Sequence, residues 1–151
     1  MTNSNDNLKY VVFKMDEEHY GIDIANVKSI ERMQYFARVP NSPEYVKGVI
    51  NLRGEVVPVI DLRLRFELSQ KEVDSNSRII IVFVNDLEIG LLVDSSSEVM
   101  EINSKEIDNP PAVKDSVMEG FIKGIGKKDG KLIILIDIEQ VIGIKDMGQV
   151  S

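Results

Sequence analysis

The 151-residue sequence contains no cysteine, no tryptophan and a single histidine, His19. The lack of cysteine excludes disulfides, thiolate catalysis and cysteine-ligated metals, and it fits a reducing compartment. His19 falls in a predicted hairpin turn between Glu18 and Tyr20. A metal site would need more histidines or a tighter carboxylate cluster. We therefore interpret His19 as a surface residue and predict no metal.

Aromatic residues are scarce at 6%, and a net charge of −7 comes without any cluster of Lys and Arg. Binding to nucleic acid or to an anionic membrane requires clustered basic residues, and single-stranded nucleic acid also needs stacking aromatics. An OB-like nucleic-acid-binding function is therefore disfavoured. No apolar run approaches the roughly 20 residues that span a bilayer, and the N-terminus lacks the pattern of a signal peptide. These features predict a cytoplasmic protein without membrane insertion.

Catalytic motifs are also missing. The sequence has no GxxxxGK[ST] phosphate loop, no GxSxG elbow and no HExxH pair, so we predict no catalytic residue and no cofactor. The segment from Gly120 to Gly130 is rich in glycine and lysine. A small-ligand or nucleotide-binding β-barrel module that uses this loop is the alternative function, although its spacing matches no nucleotide motif.

One block of the sequence occurs twice. Residues 46–62 read VKGVINLRGEVVPVIDL and residues 122–138 read IKGIGKKDGKLIILIDI, so Gly48 recurs as Gly124 (124 − 48 = 76). An earlier hairpin also recurs, with Gly21 matching Gly90 (90 − 21 = 69). The second half has therefore gained residues in a segment that contains Asn109-Pro110-Pro111 and is predicted to be a loop.

Short strands at regular spacing, with glycine in the turns, predict an all-β fold of two small five-stranded SH3-like or OB-like barrels with a few short helices. We predict a tail at 1–7, a first barrel subdomain at 8–68, a linker at 69–77, a second barrel subdomain at 78–144 and a tail at 145–151. A half of about 70 residues has a marginal core by itself. The halves should therefore pack into one domain over 8–144, and they could exchange strands.

Apolar residues recur at helical spacing after the first hairpin. Val27, Ile30 and Met33 follow this pattern, which predicts a short helix or helical turn over residues 25–33. The stripe is either part of the core or a binding surface. Its counterpart in the second half is serine-rich, and Val99 matches Ile30 only approximately.

Two other positions carry local predictions. Pro58 lies inside the run VVPVI and removes a ladder hydrogen bond, which favours an edge strand or a bulge. Asp61 and its equivalent Asp137 precede apolar residues at the ends of predicted strands. We interpret both as helix N-caps, although they resemble a catalytic pair.

The first copy of the block carries Asn51-Leu52-Arg53-Gly54, and the second copy has Asp129-Gly130 at the same turn. Gly54 is explained by the turn, since glycine tolerates positive φ. Arg53 is not needed for that purpose, because aspartate makes the same turn. Its guanidinium projects either toward a partner or toward an internal acid such as Glu31 or Glu55.

The chain resembles the CheW family, the coupling proteins of bacterial chemotaxis. Four segments carry this resemblance: YGIDIANVKSI (20–30), VPNSPEYVKGVINLRGEVVPVIDLRLRF (39–66), EIGLLVDSSSEVMEI (88–102) and GKLIILIDIEQVI (130–142). They cover nearly the whole chain. The second is the most specific, because it combines the Lys-Gly-Val-x-Asn-Leu-Arg-Gly core with a proline-containing strand and Asp-Leu-Arg.

The resemblance implies two five-stranded barrels joined by a hydrophobic interface and a non-enzymatic adaptor role. The implied partners are the cytoplasmic tip of methyl-accepting chemoreceptors and the regulatory domain of the histidine kinase CheA. The same adaptor could instead serve a chemosensory array with another output. The implied partner-binding residues are Val27, Ile30, Gly48, Asn51, Leu52, Arg53 and Gly54.

One position departs from the family pattern. Many members carry an acidic residue where this chain has Ser29, and that acid is proposed to pair with the motif arginine. Here either Glu31 takes over the pairing, or Arg53 is freer for an intermolecular acid.

Overall fold

The computed structural model describes residues 7–110 and 116–143. The predicted tails therefore lie outside the described residues, apart from Asn7, and so does Pro111. Over the described ranges the chain forms short strands, two short α-helices and a few 3₁₀ turns. The strands are β1 Asn7–Met15, β2 Glu18–Asp23, β3 Val27–Arg32, β4 Val46–Leu52, β5 Glu55–Asp61, β6 Arg78–Val84, β7 Leu87–Val93, β8 Ser95–Asn103, β9 Ile107–Asp108, β10 Ile122–Lys128 and β11 Lys131–Ile136. The helices are α1 Leu62–Arg65 and α2 Ile138–Ile142.

The strands form two sheets. One has five strands in the order β3-β6-β7-β5-β4, and the other has six in the order β8-β1-β2-β11-β10-β9. The sixth strand is the two-residue β9, which pairs with β10. The all-β prediction with a few short helices is confirmed.

Each sheet contains strands from both halves of the sequence. The β1–β2 hairpin of the first half joins β11 of the second, where β2 and β11 run parallel. The β6–β7 hairpin of the second half joins β5 of the first in the same way. Parallel strands require a long connection between them. The two strands of each parallel pair come from different halves, so a long stretch of chain connects them. The subdomain bounds at 8–68 and 78–144 therefore mark the two copies of the duplication in the sequence. They do not delimit the two sheets, because each sheet contains strands from both copies.

Three clusters of buried apolar residues hold the sheets. The largest lies between the two sheets and takes residues from both, including Phe13, Ile80 and Phe121. Two smaller clusters lie on the other faces, one within the five-stranded sheet and one within the six-stranded sheet. Most of the apolar area is therefore shared between the halves, as expected for units too small to bury a core alone.

The helix predicted over residues 25–33 is wrong for most of that segment. A 3₁₀ turn spans Ile24–Asn26, and β3 then continues to Arg32. The three-residue spacing arises from a β-bulge, since Val27 pairs with Val82 while Ser29 already pairs with Ile81. The extra residue puts Val27 and Ile30 on the same face of the strand, as a helix would. Pairing with β6 therefore overrides the local helical pattern.

Pro58 does not lie in an edge strand, because β5 is flanked by β7 and β4. The ladder between β5 and β7 begins at Val59, one residue later. The bulge between β4 and β5 falls at Val46 to Gly48, not opposite Pro58. The strand accommodates proline because pairing on the β7 side starts just beyond it.

The predicted helix caps are confirmed. The Asp61 carboxylate accepts a hydrogen bond from the backbone N–H of Arg63 at the start of α1. Asp137 accepts from the N–H groups of Glu139 and Gln140 at the start of α2. Both aspartates therefore satisfy donors of the first helical turn.

Candidate functional site

The motif that distinguishes the first half forms the turn between β4 and β5. Arg53 and Gly54 have φ values of 53° and 89°, and their equivalents Asp129 and Gly130 have 51° and 76°. Positive φ at both central residues is the signature of a tight hairpin turn of type I′. The structural explanation of Gly54 is thus confirmed. The Asn51 side chain accepts a hydrogen bond of 2.9 Å from the Gly54 N–H and fixes the turn.

Arg53 projects from this turn toward β3. Its Nη2 lies 3.7 Å from Oε2 of Glu31, and the Arg53 side chain is 69% exposed against 18% for Glu31. Of the two internal acids considered from the sequence, the structure thus pairs Arg53 with Glu31. The contact is long and uses one of five donors, so the guanidinium retains donors for another carboxylate.

Ser29 lies beside this pair on β3. It pairs with Ile81 of β6, and its Oγ is buried without a hydrogen-bond partner among the described residues. A hydroxyl at this place cannot neutralise Arg53. Glu31, two residues further along the strand, takes that role.

Ile30 supplies an apolar side chain that is 44% exposed, whereas Val27 packs against the large core. Ile30 pairs with Ile80, and Val99 of β8 pairs with Val11. The two pairs are related by the duplication, because Val99 follows Ile30 and Ile80 follows Val11 by the same offset (99 − 30 = 69 and 80 − 11 = 69). Val99 is 50% exposed. It is therefore the true equivalent of Ile30, and the offset of 69, already visible in the sequence, would have identified it.

Gly48 and Leu52 lie in the interior. Leu52 belongs to the core of the five-stranded sheet. A Cβ at Gly48 would lie 2.4 Å from the carbonyl oxygen of Ala37, and Ala37 exchanges two backbone hydrogen bonds with Val49. These two residues can hold β4 in place but offer no side chain to a partner. Ile30, Asn51, Arg53 and Gly54 are the exposed members of the predicted set.

An open groove of about 400 Å³ lies next to the turn. Its lining includes Tyr35, Ala37, Asn51 and Val56, and the side chains of Tyr35 and Val56 are strongly exposed. Neither was singled out from the sequence. The equivalent of Val56 is Leu132 (132 − 56 = 76), which is also apolar and exposed, but only the structure shows that exposure, so the sequence offered no signal for Val56.

The described residues of the second half carry different side chains at two positions of this lining. Asp108 pairs with Ile125, and Ala37 pairs with Val49. Ile125 is the equivalent of Val49 (125 − 49 = 76), so Asp108 takes the place of Ala37. Its carboxylate lies 3.1 Å from Nζ of Lys127, the equivalent of Asn51 (127 − 51 = 76). An ion pair therefore stands at the two positions that Ala37 and Asn51 occupy in the first half. Both the turn and the groove are specialised in one half.

The alternative function would use the glycine-rich segment from Gly120 to Gly130 as a ligand-binding loop. In the structure this segment is mainly strand β10, which pairs with β11. A Cβ at Gly124 would lie 2.9 Å from a side-chain carbon of Ile107, and one at Gly126 would lie 3.0 Å from Ile102. These glycines permit close packing within the sheet. The segment is thus mainly a paired strand that ends in a tight turn, which does not favour the alternative function.

The described residues contain neither a metal-binding cluster nor a helix that could span a membrane. Residues 7–110 and 116–143 contain no group of three or more His, Asp or Glu side chains placed to hold a metal ion. In the same ranges, neither α-helix has the length and apolar character that crossing a membrane demands.

Comparison with known proteins gives matches along nearly the whole chain. The family model described as "CheW-like domain" matches residues 9–145. The chain is 39% identical over 134 residues to the chemotaxis protein CheW of Bacillus subtilis, covering 89% of this chain and 86% of that protein. It is 35% identical over 133 residues to the chemotaxis protein CheW of Thermotoga maritima, covering 86% and 84%. The crystal structure of the scaffolding protein TtCheW from Thermoanaerobacter tengcongensis superposes with a TM-score of 0.82 at 40% identity, over 87% of this chain and 90% of that one.

Proposed function

This chain belongs to the CheW-like domain family, and we propose that it is a non-enzymatic scaffold that couples methyl-accepting chemoreceptors to the histidine kinase CheA in bacterial chemotaxis. The observation that carries this proposal is the likeness, over nearly the whole chain and at 40% identity, to a protein described as a scaffold. Its relatives are named as chemotaxis proteins. The protein would work in the cytoplasm, associated with arrays of membrane receptors.

The proposed partner-binding residues are those that the resemblance implied: Val27, Ile30, Gly48, Asn51, Leu52, Arg53 and Gly54. Burial divides these residues into two groups with different proposed roles. Ile30, Asn51, Arg53 and Gly54 are exposed and would contact the partner, while Gly48 and Leu52 would hold β4 beneath them. Val27 packs against the large core and would help to hold β3, which carries Ile30.

The chemistry of this surface fits an apolar partner segment that carries an acid. Ile30 offers exposed apolar area, and Arg53 offers guanidinium donors that its pair with Glu31 leaves available. Burial of an apolar side chain contributes binding energy, and a charged pair at the rim contributes orientation and selectivity. Val99, the equivalent of Ile30, is an exposed apolar residue on the other sheet.

The test is direct binding of the purified protein to a soluble receptor cytoplasmic fragment and to the CheA regulatory domain. We expect binding to both. A well-folded protein that binds neither would contradict the proposal. Co-purification from the native organism would show whether the partners belong to chemotaxis or to another chemosensory array.

Matched variants locate the surface. Ile30→Asp should weaken binding of the receptor fragment by about tenfold or more, as expected when an interface anchor is lost. Leu132→Asp places the same charge on an exposed apolar residue of the other half. It serves as the control, and receptor binding should be unchanged. Equal losses in both variants would contradict the location.

A further inference from the structure

Arg65, the last residue of α1, lies between two aromatic rings. Its guanidinium carbon is 4.5 Å from the centroid of the Tyr45 ring and 5.0 Å from that of Phe121. Its Nε donates a hydrogen bond of 2.5 Å to the carbonyl oxygen of Val141 in α2. Arg65 and Tyr45 belong to the first half of the sequence, whereas Phe121 and Val141 belong to the second. One side chain therefore ties the two halves together by three contacts.

The contacted residues are related by the duplication. Phe121 is the equivalent of Tyr45 (121 − 45 = 76), and Val141 is the equivalent of Arg65 itself (141 − 65 = 76). The surrounding backbone repeats as well. The carbonyl of Tyr45 accepts from the Asp61 N–H at 2.8 Å, and that of Phe121 accepts from the Asp137 N–H at 2.7 Å. The guanidinium is thus nearly equidistant from both copies of one aromatic position, where the two halves meet.

The set of contacts suits arginine in particular. A flat guanidinium presents faces to aromatic rings and still directs an N–H outward in its own plane. The carbonyl of Val141 belongs to the last turn of a helix, where carbonyls lack helical partners and attract basic side chains. A lysine ammonium carries the same charge but cannot stack between rings. By comparison, the hydrophobic contacts in the core between the sheets are non-directional.

The contact continues into the core. Phe66, the next residue, has its ring 6.0 Å from that of Phe121 and 5.4 Å from that of Tyr20. Tyr20 in turn stacks on Phe13 at 5.5 Å. A rotation of one sheet against the other would therefore change the contacts of Arg65 and of this row of rings together.

Arg65 follows β5 of the five-stranded sheet, whereas Phe121 precedes β10 and Val141 follows β11 of the six-stranded sheet. We propose that Arg65 is a positioning residue that fixes the angle between the two sheets and so the spacing of the surfaces that the sheets present. That this spacing serves the binding of two partners rests on the proposed scaffold function. The positioning by Arg65 does not, because it is a property of the protein without its partners. A scaffold that holds two partners at once requires such a fixed spacing. Nothing in the resemblance to the family assigns this role to Arg65.

The lack of cysteine makes the test simple. Glu55→Cys and Lys131→Cys place spin labels at equivalent exposed positions (131 − 55 = 76), one on each sheet. Pulsed electron–electron distance measurement should give a narrow distribution in this background. Arg65→Met and Arg65→Lys should each widen it about twofold or shift its maximum, because neither side chain can stack and donate together.

Arg32→Met removes an exposed guanidinium elsewhere in the first half and should leave the distribution unchanged. Tyr45→Phe keeps the ring and should also leave it unchanged, whereas Phe121→Leu should widen it. If Arg65→Met does not fold, Arg65→Lys and Phe121→Leu decide the outcome. Distributions in the folded variants that match the parent would overturn the inference. The distance measurement needs no partner, so unchanged distributions would contradict the role of Arg65 without contradicting the scaffold function. Conversely, a failure to bind receptor or kinase would contradict the scaffold function without contradicting the role of Arg65.

Discussion

Nη2 of Arg53 lies 3.7 Å from Oε2 of Glu31, and this ion pair connects the turn after β4 to strand β3. Strands β3 and β4 are the two outer strands of the five-stranded sheet. The contact therefore spans both edges of that sheet. The carboxylate is mostly buried and the guanidinium mostly exposed, so one side of the pair faces the protein and the other faces solvent.

Reversal of the charge at Arg53 should separate binding from stability. Arg53→Glu should lower the free energy of unfolding by no more than about 1 kcal/mol, because the ion pair is long and exposed to solvent. It should weaken binding to the receptor fragment by about tenfold or more, since an acid on the partner would face a like charge. Urea unfolding and titration calorimetry measure the two effects. Asp129→Asn alters the equivalent turn and is the control. A large fall in melting temperature of Arg53→Glu would show a mainly structural role.

Gly48→Ala should destabilise the protein strongly. The backbone has φ of 153°, and the new Cβ would lie 2.4 Å from the carbonyl oxygen of Ala37. Because backbone must move to relieve this contact, we expect a loss of about 2–3 kcal/mol in the free energy of unfolding. Gly54→Ala should cost only about 1 kcal/mol, since its Cβ would meet nothing within 4 Å and the cost is that of positive φ. Urea denaturation of both variants checks the order, and the reverse order would refute the close-approach explanation.

Arg63→Met should be among the most damaging polar changes in the chain. Nη1 of Arg63 lies 2.9 Å from the Asp16 carboxylate and 2.8 Å from that of Asp94, and its Nε donates to the carbonyl of Ser69. Burial by itself would lower the pKa of Arg63, but the hydrogen bonds and charges of Asp16 and Asp94 raise it above its ordinary value. The guanidinium therefore stays charged in the folded protein.

Removal of Arg63 would leave Asp94 largely buried without its principal cation, which costs about 3 kcal/mol. The control is Lys127→Met, which breaks the exposed pair with Asp108 and should cost less than about 1 kcal/mol. Thermal and urea unfolding provide both values. Similar losses in the two variants would contradict the importance of burial.

Tyr20→Phe should reduce the loss of stability at alkaline pH. Burial raises the pKa of Tyr20 above the ordinary value of 10.0 for tyrosine, with smaller contributions from Glu18 and Asp16. The phenol therefore ionises more readily in the unfolded chain. Its contribution to stability is complete below the unfolded pKa and is lost as pH rises through the folded pKa.

The measurement compares free energies of unfolding of the parent and Tyr20→Phe from about pH 8 to pH 11, a range that brackets the ordinary tyrosine pKa. The parent should lose more stability over this range. Burial also raises the pKa of Tyr10, so the variant should retain part of the alkaline loss. Parallel curves for the two proteins would show that Tyr20 ionises alike in both states.

Features that depend on neighbouring residues and on the duplication could be predicted from the sequence. The hairpin turn at Arg53-Gly54 follows from the glycine and from its second copy at Asp129-Gly130, and both turns have positive φ. The caps Asp61 and Asp137 follow from a short acceptor just before an apolar helical turn. The all-β class follows in the same way from alternation and turn spacing.

Tertiary structure decided what depends on pairing between distant segments. Val27–Arg32 is a strand because β6 pairs with it, and the bulge between Val27 and Ser29 reproduces a helical spacing that local pattern cannot distinguish. Pro58 is tolerated in an inner strand because the β7 ladder starts at Val59. Arg65 acquires its role only when Phe121 and Val141 are brought to it from the other half. Such contacts depend on which strands exchange, and a single sequence carries no local signal for that choice.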